Sequence, residues 1–434
     1  MAIDKTQKYG VIGLGRSGLA TVSYLCAHGV TPYVFDTRQC PPLKEQLSDG
    51  VSLECGPLDA SKLAMLDVLI VGPGLCIRKE PFISLRTQGI SVIGDVELFS
   101  HEVDAPVVAI TGSNGKTTVT SLLGEMARRD RIHVAVGGNI GTPVLELPDH
   151  QVQLYVLELS SFQLETTSSL KLRAGTVLNV SADHMNRYRD LEDYRNAKLR
   201  IFEHCDHCIV NADDPLTRPL SASGKELWHF SLSQNTEYWV GGDEPTLMCG
   251  DTPLIACHDL GMSGQHNWAN ALAALALGDA AGISREAMVA TLKGFKGLAH
   301  RCELIKVHKG IHWINDSKAT NIGATIAALK GFAHESGETW LIAGGDGKGA
   351  DFSELAPWLD KMAGVVVFGM DGKNIKSVHH QAIQVADLNE AVLCLSEQAK
   401  PGDRVLLSPA CASLDMYSGF EQRGDHFRQL VEAL

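Results

Sequence analysis

Short, unbroken apolar runs punctuate the chain, and each ends in glycine or polar turn residues. They include Pro32-Tyr-Val-Phe-Asp36, Val68–Val71, Val92-Ile93, Val107–Ile110, Val134–Val136, Leu154–Leu157, Val177–Val180 and Ile209-Val210. Runs of this length and texture read as buried strands. Between them, apolar residues recur at helical spacing, as in Leu19, Val22, Leu25 and Cys26, and again in Val119, Leu122, Leu123 and Met126. Strand and helix in alternation predict an α/β chain with parallel sheets. The stretch 224–262 breaks the rhythm with short alternating runs, which predict antiparallel strands. Ser263-Gly-Gln-His-Asn267 then caps an alanine-rich helix running through Ala281. Beyond Leu298, strands at Trp313, Trp340, Val365 and Val405 each lead into a polar loop, which predicts a further doubly wound sheet.

With 434 residues, the length corresponds to about three domains. A hydrophobic share of 44% and a charged share of 21% are those of a globular chain able to build sizeable cores. The net charge of −13, without a long basic stretch, argues against nucleic acid as a partner. No run reaches about eighteen apolar residues, so no membrane span is expected. The Tyr9–Leu14 stretch runs into glycines and is too short for an export signal. The 11 cysteines are scattered and odd in number, which suggests reduced thiols and a cytoplasmic setting. Cys205-Asp-His-Cys208 beside His204 resembles half a zinc site, but no second pair accompanies it, and Cys208-Ile-Val reads as strand.

Two glycine loops carry the candidate chemistry. Gly112, Ser113, Asn114, Gly115, Lys116, Thr117 and Thr118 lie between a predicted strand and a predicted helix. That context makes a phosphate loop: backbone N–H groups and the helix N-terminus face one point. Lys116 would reach the outer phosphates, and the Thr117 hydroxyl would bind magnesium. Ile110 stands where the usual pattern has its first glycine, so the loop is a shortened variant. Glu158 ends the Leu154–Leu157 strand, where nucleotide folds commonly place a metal-linked acid. Earlier, Gly13-x-Gly15-x-x-Gly18 with Asp36 at the end of the next strand is a dinucleotide fingerprint. It predicts either NAD or another nucleotide held by its pyrophosphate. Thr37 and Arg38 could neutralise a phosphate or be plain surface residues. Asp183-His184 is open between a structural cap and a site role, and Lys198 alone reads as a solvated helix lysine. Lys318, Lys348 and Arg423 are either surface charges or collectors of an anionic substrate at strand ends.

Taken together, several runs are recognisable. They are the Thr111–Thr118 loop, Glu158-Leu-Ser-Ser-Phe-Gln-Leu-Glu165, Asp183-His184-Met, Tyr194-Arg-Asn-Ala-Lys198, Ser263-Gly-Gln-His-Asn267, His300-Arg301 and Asn315-Asp-Ser-Lys318-Ala-Thr320. In this order they resemble the Mur ligase family over almost the whole chain. The Ser-Ser-Phe-Gln-Leu-Glu run and the tail from Ser408 to Gly424 resemble its D-glutamate-adding members.

The resemblance implies three domains: a Rossmann-like UDP-binding domain (1–94), a central ATPase domain (95–298) and a Rossmann-like amino-acid-binding domain (299–434). The central one would combine a mainly parallel sheet with a small antiparallel one. It implies ATP-dependent joining of D-glutamate to UDP-N-acetylmuramoyl-L-alanine through an acyl phosphate, in peptidoglycan precursor synthesis. It replaces NAD by UDP at the first glycine loop, with contacts from Gly15, Ser17, Asp36, Thr37, Arg38 and Gly74. Asn139 and His184 would orient the muramoyl-alanine end. Asn267, Asn270, Arg301 and Asp316 would join the phosphate loop in holding ATP. Lys318, Thr320, Lys348, Ser413 and Phe420 would place D-glutamate. Catalysis would rest on Lys116, Glu158, His184 and Lys198. Two magnesium sites are implied, using Thr117, Glu158, His184 and a carbamylated Lys198. A cytoplasmic monomer is expected. Other amide ligases, such as a folylpolyglutamate synthase, share part of this pattern, but the Rossmann-type first domain speaks against the folate enzyme. A GTPase-type switch lacks its Asn-Lys-x-Asp motif here, and a dehydrogenase would need a nicotinamide site.

Overall fold

The computed structural model describes residues 3–221, 224–262, 264–333 and 336–434. Ser263, expected to cap the alanine-rich helix, lies outside the described residues; the helix itself spans Gln265–Ala281. Three sheets organise the chain. The first holds β1 (Tyr9–Ile12), β2 (Tyr33–Asp36), β3 (Ser52–Cys55), β4 (Val68–Val71) and β5 (Ser91–Ile93) in the order β3-β2-β1-β4-β5. All its pairings are parallel. The strand order reverses at β1, so the loops after β1 and β4 flank a crevice at the carboxyl edge, where open sheets bind ligands.

The second sheet begins with β6 (Val107–Thr111), β7 (Val134–Gly138), β8 (Leu154–Glu158), β9 (Leu172–Val177) and β10 (Cys205–Asn211). It continues through β11 (Glu226–Ser231), β12 (Tyr238–Gly241), β13 (Thr246–Cys249) and β14 (Thr252–Ala256). The order is β14-β13-β12-β11-β10-β9-β6-β8-β7, one continuous sheet. Here the sequence reading needs correction. β11 and β12 still pair in parallel, and the first antiparallel pairing comes between β12 and β13. Alternation within 224–262 reflects a half-exposed sheet edge, and burial pattern alone does not reveal strand direction. The Val177–Val180 strand is also displaced: β9 starts at Leu172 and ends at Val177, leaving Leu178–Val180 as a loop. Cys205–Cys208 lies within β10.

The third sheet contains β15 (Glu303–His308), β16 (Ile311–Asn315), β17 (Thr339–Gly344), β18 (Gly364–Phe368), β19 (Ile383–Gln384) and β20 (Arg404–Leu407). Its order is β15-β16-β20-β17-β18-β19, with only β15–β16 antiparallel. Both faces are covered. Leu341, Ala343, Val365 and Val367 pack with Ile322 and Leu329 on one side. Ile342, Val366, Val405 and Leu407 pack with Leu388 and Phe427 on the other. Burial on both faces is why these strands read as continuous apolar runs.

By density of contact the chain forms two compact units. One comprises Met1–Val180, Glu192–Leu254 and Ala271–Thr291; the other comprises Ser181–Leu191, Ile255–Asn270 and Leu292–Leu434. The first two sheets share a unit, and charged and polar groups help to join their segments. Arg78 donates to both Asp193 carboxylate oxygens at 2.6 and 2.7 Å and pairs with Glu165. Glu97 accepts the Ser168 and Ser169 N–H groups at 2.6 and 3.1 Å. No described helix is long and apolar enough to cross a membrane.

Gly18 shows how closely the first helix meets its strand: a Cβ there would lie 1.9 Å from the Gly13 carbonyl oxygen. Gly18→Ala is therefore expected to cost roughly 1–3 kcal/mol of stability. Thermal denaturation checks it, and an unchanged melting temperature would contradict the packing described.

Candidate active site

The phosphate loop is built as its flanks require. β6 pairs with β8 so that Ile110 faces Glu158 in register, which sets the acid beside the start of the loop. Gly115 takes a φ of 83° at the N-cap of the helix Lys116–Arg129, a conformation open to glycine at little cost. Lys116 Nζ donates to the Gly112 and Ser113 carbonyls at 2.8 and 3.0 Å. Lys198 is 1% exposed, not the solvated helix lysine its surroundings in sequence suggest. Its Nζ donates to the same Gly112 carbonyl at 2.9 Å and stands 4.4 Å from the Tyr194 ring centroid.

Glu158 is buried, and its two oxygens differ. Oε1 accepts the Asn139 amide at 2.8 Å, while Oε2 is buried without a hydrogen-bond donor. A buried carboxylate oxygen left without a donor is costly. At the end of a strand paired with the phosphate-loop strand, it fits a hard divalent cation, which takes oxygen ligands.

In the first sheet, Asp36 emerges at the end of β2 and is 2% exposed. Its Oδ2 accepts the Leu14 N–H and Arg38 Nη2, both at 2.7 Å. Its Oδ1 accepts the Arg38 N–H at 2.8 Å and Nε at 2.9 Å. Each oxygen thus holds two donors, so Asp36 fixes Leu14 in the glycine turn and aims Arg38. The Arg38 guanidinium, aided by the Leu14 N–H, holds the Asp36 carboxyl at about 2 despite burial. Ser17 is similarly engaged: it hydrogen-bonds the buried Asp95, which also meets Gln163, while burial pushes the Asp95 carboxyl up. Gly15 and Gly74 have open space where a Cβ would be, which leaves the backbone of both loops accessible.

The second unit gathers the remaining candidates at the carboxyl edge of the third sheet and on two inserted segments. Lys318 Nζ lies 3.8 Å from the centroid of the Phe420 ring, which links two expected amino-acid contacts. Lys348 Nζ donates to Asp183 Oδ1 at 2.7 Å, and Asn321 donates to Asp183 Oδ2 at 3.2 Å. Burial works against the Asp183 carboxylate, but Lys348 and His184 keep its pKa below the usual range. Ser413 is buried where its carbonyl receives the Tyr417 N–H at 2.8 Å. Asp316 is buried, accepts from Ser408 Oγ at 2.8 Å, and is pushed up to about 7 by burial. Asn270 donates to Asn267 at 3.1 Å, one turn apart on the Gln265–Ala281 helix. The neighbouring His266 is held at about 4 by burial and by Arg301, so it is neutral at pH 7. His184, His300, Cys302, Lys348 and Ala410 all adopt positive φ. Non-glycine residues in that region concentrate at functional sites.

Four residues have positional roles that the sequence did not reveal. Asn179 exchanges hydrogen bonds with the Asn114 backbone at 2.8 and 3.1 Å, and its carbonyl receives the Ser113 N–H at 2.9 Å. A polar residue just past the strand beside the phosphate-loop strand was the available signal. Tyr194 supports Lys198 through its ring. Asp95 had no sequence signal. Arg423, read as either a surface charge or a collector of an anionic substrate, is 0% exposed.

Comparison with known proteins places these features in company. Family models match residues 7–94 (Mur ligase MurD-like, N-terminal domain), 110–278 (Mur ligase middle domain) and 300–411 (Mur ligase, glutamate ligase domain). The UDP-N-acetylmuramoylalanine–D-glutamate ligase of Photorhabdus laumondii is 47% identical across 99% of this chain and 98% of its own. The Escherichia coli K12 protein of the same description is 47% identical across 98% of each chain. Among solved structures, a MurF ligase from Thermotoga maritima in complex with ADP aligns with a TM-score of 0.65 at 16% identity, covering 100% of this chain and 97% of that one. The UDP-N-acetylmuramate-alanine ligase MurC of the same organism aligns at 0.62 and 18% identity, covering 98% and 99%. At such identities the likeness is one of fold.

The Asp36 clamp has a pH signature. Its carboxyl lies at about 2 in the fold against an ordinary 3.8. The stabilisation is therefore fully present above 3.8 and is lost as pH falls through about 2. The stability gap between the parent and Asp36→Asn should accordingly narrow between pH 4 and pH 2, as about two pH units of linkage require. Urea unfolding across that range checks it; a gap independent of pH would remove the clamp.

Proposed function

This chain belongs to the Mur ligase family, and we propose that it joins D-glutamate to UDP-N-acetylmuramoyl-L-alanine at the expense of ATP, a step of peptidoglycan precursor synthesis. Near-full-length kinship with D-glutamate ligases carries the choice of substrates. The buried Glu158 oxygen without a donor, in register with the phosphate-loop strand, supports the phosphoryl-transfer half. We take 1–94 as the UDP-substrate domain, 95–298 as the ATP domain and 299–434 as the amino-acid domain.

A carboxylate resists amines because it is anionic and oxide is not a viable leaving group. Transfer of the γ-phosphoryl group to the L-alanine carboxylate yields ADP and an acyl phosphate. The D-glutamate amine then attacks the acyl carbon, phosphate departs, and the amine proton is lost to a base. Lys116 neutralises the transferring phosphoryl oxygens, and backbone N–H groups of the glycine turn hold the phosphates. Magnesium, when bound, supplies Lewis-acid charge neutralisation to the phosphates; Thr117 and Glu158 would hold one ion, and His184 with a carbamylated Lys198 a second. Carbamylation would turn buried Lys198 from a cation into an anion while keeping one N–H for the Gly112 carbonyl. Asn139, fixed on Glu158, presents its remaining polar capacity to the muramoyl-alanine end. Asn267, Asn270, Arg301 and Asp316 are assigned to ATP. Lys318, Thr320, Lys348, Ser413 and Phe420 are assigned to D-glutamate. A cytoplasmic monomer fits this reading.

Phosphate release should require UDP-N-acetylmuramoyl-L-alanine and D-glutamate together, and L-glutamate should not replace D-glutamate. Turnover with the L-isomer alone would reject the assignment. Removing a charge that stabilises transferring phosphoryl oxygens should cut kcat by about 10²-fold or more in Lys116→Ala. Lys198→Ala should be nearly inactive, and partly restored by a small carboxylate in solution; full activity without it would dispose of the carbamate.

A further inference from the structure

Arg423 sits one turn into the helix Phe420–Glu432 and is fully buried. Its five hydrogen bonds all end on neutral oxygens. Nε donates to Ser317 Oγ at 3.0 Å, and Nη2 donates to the Ser317 and Cys411 carbonyls at 2.8 and 3.1 Å. Nη1 donates to the Ala412 and Gly344 carbonyls at 3.3 and 3.4 Å. Burial drives the guanidinium down to about 10, yet it stays charged at neutral pH.

These acceptors come from two loops and the end of a third strand. Ser317 follows β16, Gly344 ends β17, and Cys411-Ala412 follow β20. Those two loops, and the loop that follows β17, carry the residues assigned to D-glutamate: Lys318 and Thr320, Lys348, and Ser413. Phe420 is tied in as well, because Ser317 Oγ donates to its carbonyl at 2.8 Å. A planar fork can meet such acceptors in fixed directions, which a lysine ammonium on a flexible stem cannot.

We infer that Arg423 is a positioning residue for the amino-acid substrate: it binds the loops after β16 and β20 and the end of β17 into one rigid rim, and Ser317 relays that hold to Phe420. The inference rests on the D-glutamate reading above. A residue with this role should affect the substrate at the rim and leave the nucleotide substrates alone.

The test uses the full chain, with Arg423→Lys and Ser317→Ala, the latter removing a single hydroxyl in case the former does not fold. D-glutamate is varied at saturating ATP and UDP-N-acetylmuramoyl-L-alanine, and each of those is then varied in turn. Because small misplacements of binding groups are costly, KM for D-glutamate should rise about tenfold in Arg423→Lys and about threefold in Ser317→Ala, with the other two KM values within about twofold of the parent. An unchanged KM for D-glutamate in a folded variant overturns the inference, as does a parallel rise in all three. Hydrogen exchange of the 411–420 loop is read alongside, without substrates. Faster exchange in both variants supports the rim, and exchange equal to the parent overturns it. A parent that releases no phosphate with D-glutamate would sink the function reading while leaving the exchange result to judge Arg423.

Discussion

A parallel sheet delivers its useful residues on loops beyond its carboxyl edge, and a loop is where the backbone has lost its ladder partners. Something must hold each of these loops in one shape. In this protein the same device does so at all three sheets: a buried or half-buried polar side chain that spends hydrogen-bonding capacity on loop backbone. Asp36 grips Leu14 and aims Arg38 in the first sheet. Asn179 pairs with both sides of the Asn114 peptide in the second. Arg423 spans two loops and the end of a strand in the third.

The device is effective because burial makes an unmade hydrogen bond expensive. A loop that drifted from Asp36 or Arg423 would leave a charge buried without donors or acceptors, so the competing conformations lie high in energy. Rigidity at the rim is therefore a consequence of desolvation, more than of any single bond's strength. Glu158 is the instructive exception. It too is buried at a strand end, but Oε2 is left without a donor. Where the other groups are saturated and serve the fold, this one retains capacity, which is what a ligand needs.

The lysines follow a similar division. Lys116 and Lys198 both turn their Nζ toward the Gly112 carbonyl, so two lysines meet at one glycine turn. The Lys116 ammonium suits a ligand carrying several negative charges, whereas carbamylation would turn Lys198 into an anion suited to a cation. In the other unit Lys348 is matched by Asp183, and Lys318 lies over Phe420. An anionic substrate arriving there would exchange one carboxylate partner for another at Lys348.

The chain's own order of residues determined most of the architecture. Apolar runs ending in glycine or acid marked most of the strands, since strands buried on both faces must be apolar throughout and need glycine where the chain turns. The glycine turn before Lys116 and the acid at Glu158 were legible for the same reason: each follows a strand directly, so its place at the carboxyl edge is local information. Pairing direction was not legible: β11 and β12 pair in parallel within a stretch whose texture predicts antiparallel strands. Burial of polar side chains was not legible either. Lys198 and Arg423 look like solvated charges because their acceptors, the Gly112 carbonyl and the loops around Ser317 and Cys411, are distant in sequence. Whether a charged group faces water or closes a loop depends on which backbone oxygens the tertiary fold brings to it, and that decision belongs to packing alone.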